Sequence, residues 1–183
     1  TIYKITGGGL LATDANAGAA SAADTFNLTN NNVWIDNIRF KNNDRNVVGG
    51  FTVVNIVSGS NYKVTNCTFD ANASADVGLQ TGVADFEINN NFFKPKTNIS
   101  AFSITLNGAT RGVIDGNNIK KSNAGIVLLG TCKFVTISNN LIQDSDETGI
   151  DLLQVEDITL HGNIISSTKQ SGLRISLTPI AGF

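Results

Sequence analysis

The chain repeats one pattern of apolar and polar positions six times, at intervals of about 23 to 29 residues. Each copy begins with an apolar residue, has Asn or Gly at its third position, and ends in another apolar residue. The copies begin at Ile35, Val64, Ile88, Ile114, Ile137 and Leu160. A period of this length is typical of solenoids, so the pattern predicts a stack of similar coils.

The third position of each copy predicts a sharp corner. Asn and Gly are the residues that best tolerate a left-handed backbone conformation. Each copy therefore predicts a short strand, a left-handed corner and a second short strand. The predicted corner residues are Asn37, Asn66, Asn90, Gly116, Asn139 and Gly162.

The position after the corner predicts an internal ladder. In the last four copies this residue is Asn, and coils stacked in register would place the four side chains above one another. Hydrogen bonds along the stack would then satisfy amides that are costly to bury alone. The predicted ladder consists of Asn91, Asn117, Asn140 and Asn163. These polar residues are therefore assigned to the scaffold.

A third strand per coil is predicted between the copies. Short segments with apolar residues at every second position recur there, as expected for strands with one buried face. Most of these segments follow a small residue: Gly50, Gly78, Ala101, Gly125, Gly149 and Gly172. The fold class is therefore all-β, a parallel solenoid of about seven rungs that would be about 30 Å long at about 4.8 Å per rung.

The strands, the corner and the Asn ladder together resemble the right-handed parallel β-helix of the pectin-lyase-like superfamily. The resemblance covers residues 24–177 and concerns the fold, and no catalytic motif accompanies it. Among proteins with this fold, the chain is most similar to a small phage virion decoration or spike protein. We expect a cap or arm over residues 1–23, the β-helix over 24–177 and a tail over 178–183.

The N-terminal segment contains several apolar residues outside the repeat. Ile2, Tyr3, Leu10 and Leu11 flank three glycines. The open end of a solenoid must be covered, so the segment is either a cap over the first coil or an arm that reaches a neighbouring subunit. Both alternatives make these four residues candidate interface residues.

Apolar residues are also expected at outward positions of the strands. Val54, Val127, Leu129 and Leu153 are predicted to form an apolar stripe along one face. Such a stripe indicates burial, either under a loop or the N-terminal arm, or against another subunit. The resemblance implies a homotrimer as the symmetric assembly.

Composition excludes several partners. The 183-residue chain has a net charge of −2 and no basic stripe, so a nucleic-acid partner is not expected. No apolar run is long enough to cross a bilayer, so no membrane partner is expected. Cys67 and Cys132 fall about three rungs apart, too far for a disulfide, and are predicted to be free thiols.

The outward carboxylates do not predict a catalytic pair. Asp36 and Asp115 would lie about three rungs apart, farther than glycoside hydrolysis allows. Asp151 and Arg174 fall on neighbouring rungs and predict an ion pair, with a catalytic remnant as the alternative.

Metal and nucleophile chemistry is weakly supported. The acidic segment 144–147 lacks the spacing and glycine of a calcium loop, and the single histidine, His161, has no Ser or Cys partner in a recognisable motif. We therefore expect no catalytic residues, no metal and no cofactor.

These observations favour a structural virion protein, either a capsid decoration (cement) protein or a short spike or fibre module. Its partners would be other copies of itself and capsid or tail proteins, and it would be assembled in the host cytoplasm. The alternative is a secreted or cell-surface domain that processes polysaccharide, as a lyase or hydrolase, or binds carbohydrate.

Overall fold

The computed structural model describes residues 2–6, 10–13, 26–42, 52–70, 75–94 and 102–176, with the backbone alone for 10–13, 41 and 42. These residues contain strands and no helix, so no helix among them is long and apolar enough to cross a membrane. The strands form three parallel sheets of seven strands each. Each coil contributes one strand to each sheet, and the three sheets wind together as a solenoid.

The strands follow one another in the order first sheet, second sheet, third sheet. The first sheet contains β1 (Tyr3–Thr6), β4 (Val33–Asp36), β7 (Ser60–Thr65), β10 (Ala84–Asn89), β13 (Thr110–Asp115), β16 (Lys133–Ser138) and β19 (Glu156–His161). The second contains β2 (Leu10–Thr13), β5 (Arg39–Asn42), β8 (Thr68–Asp70), β11 (Phe92–Phe93), β14 (Asn118–Lys120), β17 (Leu141–Gln143) and β20 (Ile164–Ser166). The third contains β3 (Phe26–Leu28), β6 (Thr52–Ile56), β9 (Ala75–Leu79), β12 (Phe102–Asn107), β15 (Ala124–Leu129), β18 (Thr148–Leu153) and β21 (Ser171–Ser176).

The six predicted corner residues all join a strand of the first sheet to a strand of the second. Each has a positive φ, from 53° at Asn139 to 64° at Gly116. This is the left-handed region that Asn and Gly occupy at low cost. The local sequence therefore fixes the direction change in every coil after the first.

The four predicted ladder residues stack inside the solenoid. The Asn117 Nδ2 donates to Asn140 Oδ1 at 2.9 Å, and Asn140 Nδ2 donates to Asn163 Oδ1 at 2.9 Å. Asn91 makes the same bond to Asn117 at 3.0 Å. Each of these three Nδ2 groups also donates to a first-sheet carbonyl oxygen, so the buried amides are satisfied along the stack.

The core is a set of side-chain columns that run along the solenoid axis. Under the second sheet, Phe40 stacks on Phe69 and Phe69 on Phe93, each with ring centroids 4.9 Å apart. Columns of mostly aliphatic side chains line the first and third sheets, with Tyr62 and Phe86 as aromatic members of the first. Cys67 and Cys132 are buried free thiols, as predicted, and burial raises the pKa of Cys67 to about 11.

Part of the N-terminal segment belongs to the stack. Strand β1 pairs with β4, and β2 pairs with β5, both in parallel. The described strands therefore extend the solenoid to Tyr3, ahead of the predicted boundary at residue 24. The rest of the predicted cap or arm, and the tail at 178–183, lie outside the described residues.

Candidate functional site

Val54 does not belong to the expected apolar stripe, because its side chain points into the core. Val54 is fully buried and pairs in register with Val77, which is a core residue, and with Phe26, which is partly buried against the core. The sequence suggested that the segment after Gly50 aligns with the one after Gly125. The observed register differs from that alignment by three residues, and an odd shift exchanges the two faces of a strand. The expected outward position of Val54 was therefore wrong.

The other three residues of the stripe do face outward on the third sheet, but they are not well exposed. Val127 lies in the outward column next to Asp151 and is 4% exposed, while Leu129 and Leu153 are half-buried. The described part of the third sheet thus presents no broad apolar surface at these positions.

Asp151 and Arg174 form the predicted ion pair between neighbouring rungs. The Arg174 Nε donates to Asp151 Oδ1 at 2.8 Å, and its Nη2 contacts the other carboxylate oxygen. The hydrogen bonds that Arg174 donates to the Asp151 carboxylate raise the pKa of Arg174 above its ordinary value. Asp151 is buried and Arg174 is partly exposed, so this pair shields a carboxylate beneath the guanidinium.

Asp36 and Asp115 are each held by polar neighbours of the next rung. Asp36 accepts from Thr65 Oγ1 and Asn66 Nδ2, both at 2.8 Å, and these bonds lower its pKa. Asp115 is held in the same way three rungs farther along the first sheet. The two carboxyl groups therefore do not converge, as the sequence indicated.

Asp115, Ser138 and His161 lie on consecutive rungs in one outward column. These are the residue types of a hydrolase triad, but their order differs. Ser138 Oγ donates to Asp115 Oδ1 at 2.6 Å, whereas a triad serine donates to the histidine. The Ser138 hydroxyl therefore donates to a carboxylate and not to His161. This hydrogen-bond arrangement does not activate Ser138 as a nucleophile.

The acidic segment 144–147 does not gather into a cation site. Asp146 forms an ion pair with Lys169 of the next rung. Among the residues that the structure describes, no group of three or more His, Cys, Asp or Glu side chains is placed to hold a metal ion.

A second column of left-handed residues forms a ridge at the start of the first-sheet strands. Each member lies six residues before the residue that follows a corner, and every member has a φ between 52° and 62°. The members are Asn32, Asn61, Asp85, Arg111, Phe134 and Asp157. Phe134 is the one apolar residue among these six members, and a bulky aromatic residue is rare in this conformation. Its side chain is nevertheless 58% exposed.

A surface depression of about 440 Å³ lies beside this ridge. We call it the Phe134 groove. Its lining residues come from four neighbouring rungs of the first sheet. They are Asn61, Asp85, Phe86, Glu87, Arg111, Gly112, Val113, Phe134 and Thr136.

The polar part of the Phe134 groove is organised by ion pairs. Arg111 binds Asp85 through two bonds, at 2.8 and 3.1 Å, and Lys63 binds Glu87 at 2.8 Å. The bond from Arg111 lowers the pKa of Asp85. Val113 and Phe134 provide exposed apolar surface next to these pairs, since Val113 pairs in register with Glu87 and Phe134 lies one rung after Arg111. The groove thus has an apolar patch with a charged border.

The sequence-based search did not identify Phe134. It aligned outward positions of the strands and omitted the residue at which each first-sheet strand starts. Counting six residues back from each corner-following position would have shown one aromatic residue in a column of Asn, Asp and Arg.

The N-terminal candidates have different outcomes. Ile2 and Tyr3 are exposed, and Tyr3 lies in β1 at the end of the first sheet. Leu10 and Leu11 lie in β2, and their side chains are outside the described residues.

Comparison with known proteins bears on the fold. A family model described as the right handed beta helix region matches residues 96–180. No curated protein matches the sequence. Together with three stacked parallel sheets, the family match identifies the fold as a right-handed parallel β-helix.

Proposed function

We propose that the chain is a structural protein, a β-helical rod that joins a larger particle through contacts on its side. Phe134 is the observation that carries this proposal. A left-handed backbone at a non-glycine residue costs about 1–2 kcal/mol, and an exposed aromatic ring forgoes the stabilisation that its burial would give. Evolution tolerates such costs where a side chain has a task outside the folded monomer.

The composition of the Phe134 groove supports a protein partner. Protein interfaces combine aromatic anchors and arginine at the centre with polar groups around them. Phe134 and Val113 form such a centre, and the Arg111–Asp85 and Lys63–Glu87 pairs lie beside it. The first sheet would then be the lateral contact face of the rod.

The assembly that fits this role best is a virion. A capsid decoration protein, or a short spike or fibre module, is a compact rod that binds copies of itself and neighbouring capsid or tail proteins. A homotrimer brings three identical first-sheet faces together around one axis, which is a closed symmetric arrangement.

The test is the native mass of the full chain and of two variants. Phe134→Asn removes the ring while keeping a residue that accepts the left-handed backbone, so folding is preserved. We expect the wild-type chain to form a trimer and Phe134→Asn to be a monomer with an unchanged circular dichroism spectrum. Ile164→Asn, at an exposed apolar residue of the second sheet, is the matched control and should remain a trimer. A wild-type monomer, or a trimeric Phe134→Asn variant, would refute the proposal.

Carbohydrate binding is a second candidate, favoured by the polar lining of the same groove. Asn61, Asp85, Glu87 and Arg111 supply hydrogen-bonding groups around an exposed aromatic ring. A glycan array with the wild-type chain separates the two candidates. Glycan binding that Phe134→Asn abolishes, without any change in mass, would favour the carbohydrate-binding function.

A further inference from the structure

The side chains of the left-handed ridge bond to one another in pairs across neighbouring rungs. Asn61 Nδ2 donates to Asn32 Oδ1 at 2.7 Å. In the next two rungs, Arg111 donates to both carboxylate oxygens of Asp85, at 2.8 and 3.1 Å. In each of these two pairs, one member thus supplies the donor that the other member accepts.

The third pair of the ridge, Phe134 and Asp157, has no donor. The two residues lie in β16 and β19, and the residues on either side of them pair in register. Phe134 and Asp157 are therefore neighbours on consecutive rungs, about 4.8 Å apart along the rod. Both are exposed, so a carboxylate stands beside an accessible aromatic ring.

The Asp157 carboxylate has no cation of its own. Lys133, which precedes Phe134, forms an ion pair with Glu156 at 2.6 Å. Within the part of the chain that the structure describes, Asp157 takes part in no ion pair. The ridge therefore offers a negative charge and an aromatic face at the one pair that lacks an internal donor.

We propose that the partner protein supplies an arginine side chain to this pair, with the guanidinium over the Phe134 ring and bonded to the Asp157 carboxylate. Arginine fits both requirements. Its planar group stacks on aromatic faces, and its parallel N–H groups bind a carboxylate through two bonds. The inference rests on the proposed function, because it names the side chain that the lateral contact presents to Phe134.

A small probe tests the site without any assembly. The probe is N-acetylarginine amide, and N-acetylcitrulline amide, which has a similar shape without the charge, is the control ligand. The measurement follows the backbone amide signals of Phe134 and Asp157 in the full chain by NMR. If the chain is a monomer, we expect the arginine probe to shift both signals to saturation at millimolar concentration, and the citrulline probe to leave them in place.

The same two probes test an assembled chain. In the assembly the partner's arginine fills the site, so the probe competes with it. We expect the arginine probe to lower the native mass of the wild-type chain and the citrulline probe to leave that mass unchanged.

Two matched variants separate the carboxylate from the general charge of the protein. Asp157→Asn removes the charge and keeps a residue that accepts the φ of 52°, and it should weaken binding of the arginine probe about three- to tenfold. Asp144→Asn changes another left-handed aspartate, with a φ of 60°, at a corner between the second and third sheets. It should bind the probe as the wild-type chain does. Phe134→Asn should abolish saturable binding.

Equal responses to the arginine and citrulline probes would overturn the inference, and so would an Asp157→Asn variant that binds the arginine probe as tightly as the wild-type chain. The proposed function fails separately. A monomeric wild-type chain that binds the arginine probe as expected would refute self-assembly and uphold the site. A trimer that Phe134→Asn dissociates, but that responds equally to both probes, would do the reverse.

Discussion

Asn117 and Asn140 lie one above the other inside the solenoid, joined by a 2.9 Å bond from Asn117 Nδ2 to Asn140 Oδ1. The same oxygen accepts the Asn117 backbone N–H at 3.0 Å. One side chain thus satisfies two donors of the neighbouring coil, and its own Nδ2 reaches the Ile114 carbonyl at 3.0 Å. The ladder therefore joins successive corners by side chains as well as by the sheets.

Asn140→Ala should lower the free energy of unfolding by about 1–3 kcal/mol, because buried partners lose their hydrogen bonds. Asn139→Gly, one residue earlier, should cost less than about 1 kcal/mol, since Gly accepts the corner and the lost bond to Asp115 is exposed. Urea denaturation of both variants measures the difference. A larger loss for Asn139→Gly would contradict the assignment of corner and ladder.

Gly112→Ala should destabilise the protein by about 1–3 kcal/mol through overpacking. A Cβ at Gly112 would lie 2.1 Å from Cζ of Phe86, whose ring occupies the space below the glycine. Phe86→Leu should cost stability alone but should partly relieve Gly112→Ala in the double variant. Thermal unfolding of the two single variants and the double variant measures the coupling, and strict additivity would count against this packing.

Phe134→Asn should be more stable than Phe134→Ala by about 0.5–1 kcal/mol. Both variants remove the ring, but Asn tolerates the φ of 55° at this position better than Ala does. Chemical denaturation of the two variants gives the comparison. Equal stabilities would argue that the left-handed backbone imposes no strain, and would weaken the reason for assigning Phe134 a task outside the monomer.

Stability should fall as the pH is lowered below about 4, the ordinary range of a carboxyl pKa. Hydrogen bonds from Ser138 and Asn139 lower the pKa of Asp115, and bonds from Asn66 and Thr65 lower that of Asp36. A group whose pKa is lower in the folded state contributes stability above its unfolded pKa, and loses it as the pH falls through the folded value. Asp115→Asn should therefore show a shallower decline in urea midpoints between pH 5 and 3. An identical slope would mean that Asp115 does not contribute.

The sequence alone was sufficient to predict the corners and the internal ladder of each coil. Asn and Gly at the third position of each repeat fixed the left-handed corners, since few other residues take that conformation without cost. The following Asn residues could be assigned to a ladder because the period placed them at equivalent positions in successive coils. All of these features depend on local backbone preference or on the period of the repeat, and both can be read from the amino-acid sequence.

The tertiary structure decided the register between coils and the outer surface. Val54 was expected to face outward, but the strand pairing turns it into the core, because a shift by an odd number of residues exchanges the faces of a strand. The Phe134 groove arises from four coils of unequal length, and the distance along the chain does not reveal which side chains meet there. The loops between strands differ in length from coil to coil and follow no repeating pattern. The register between coils, and with it the set of residues that share a surface, therefore became visible only in the stacked structure.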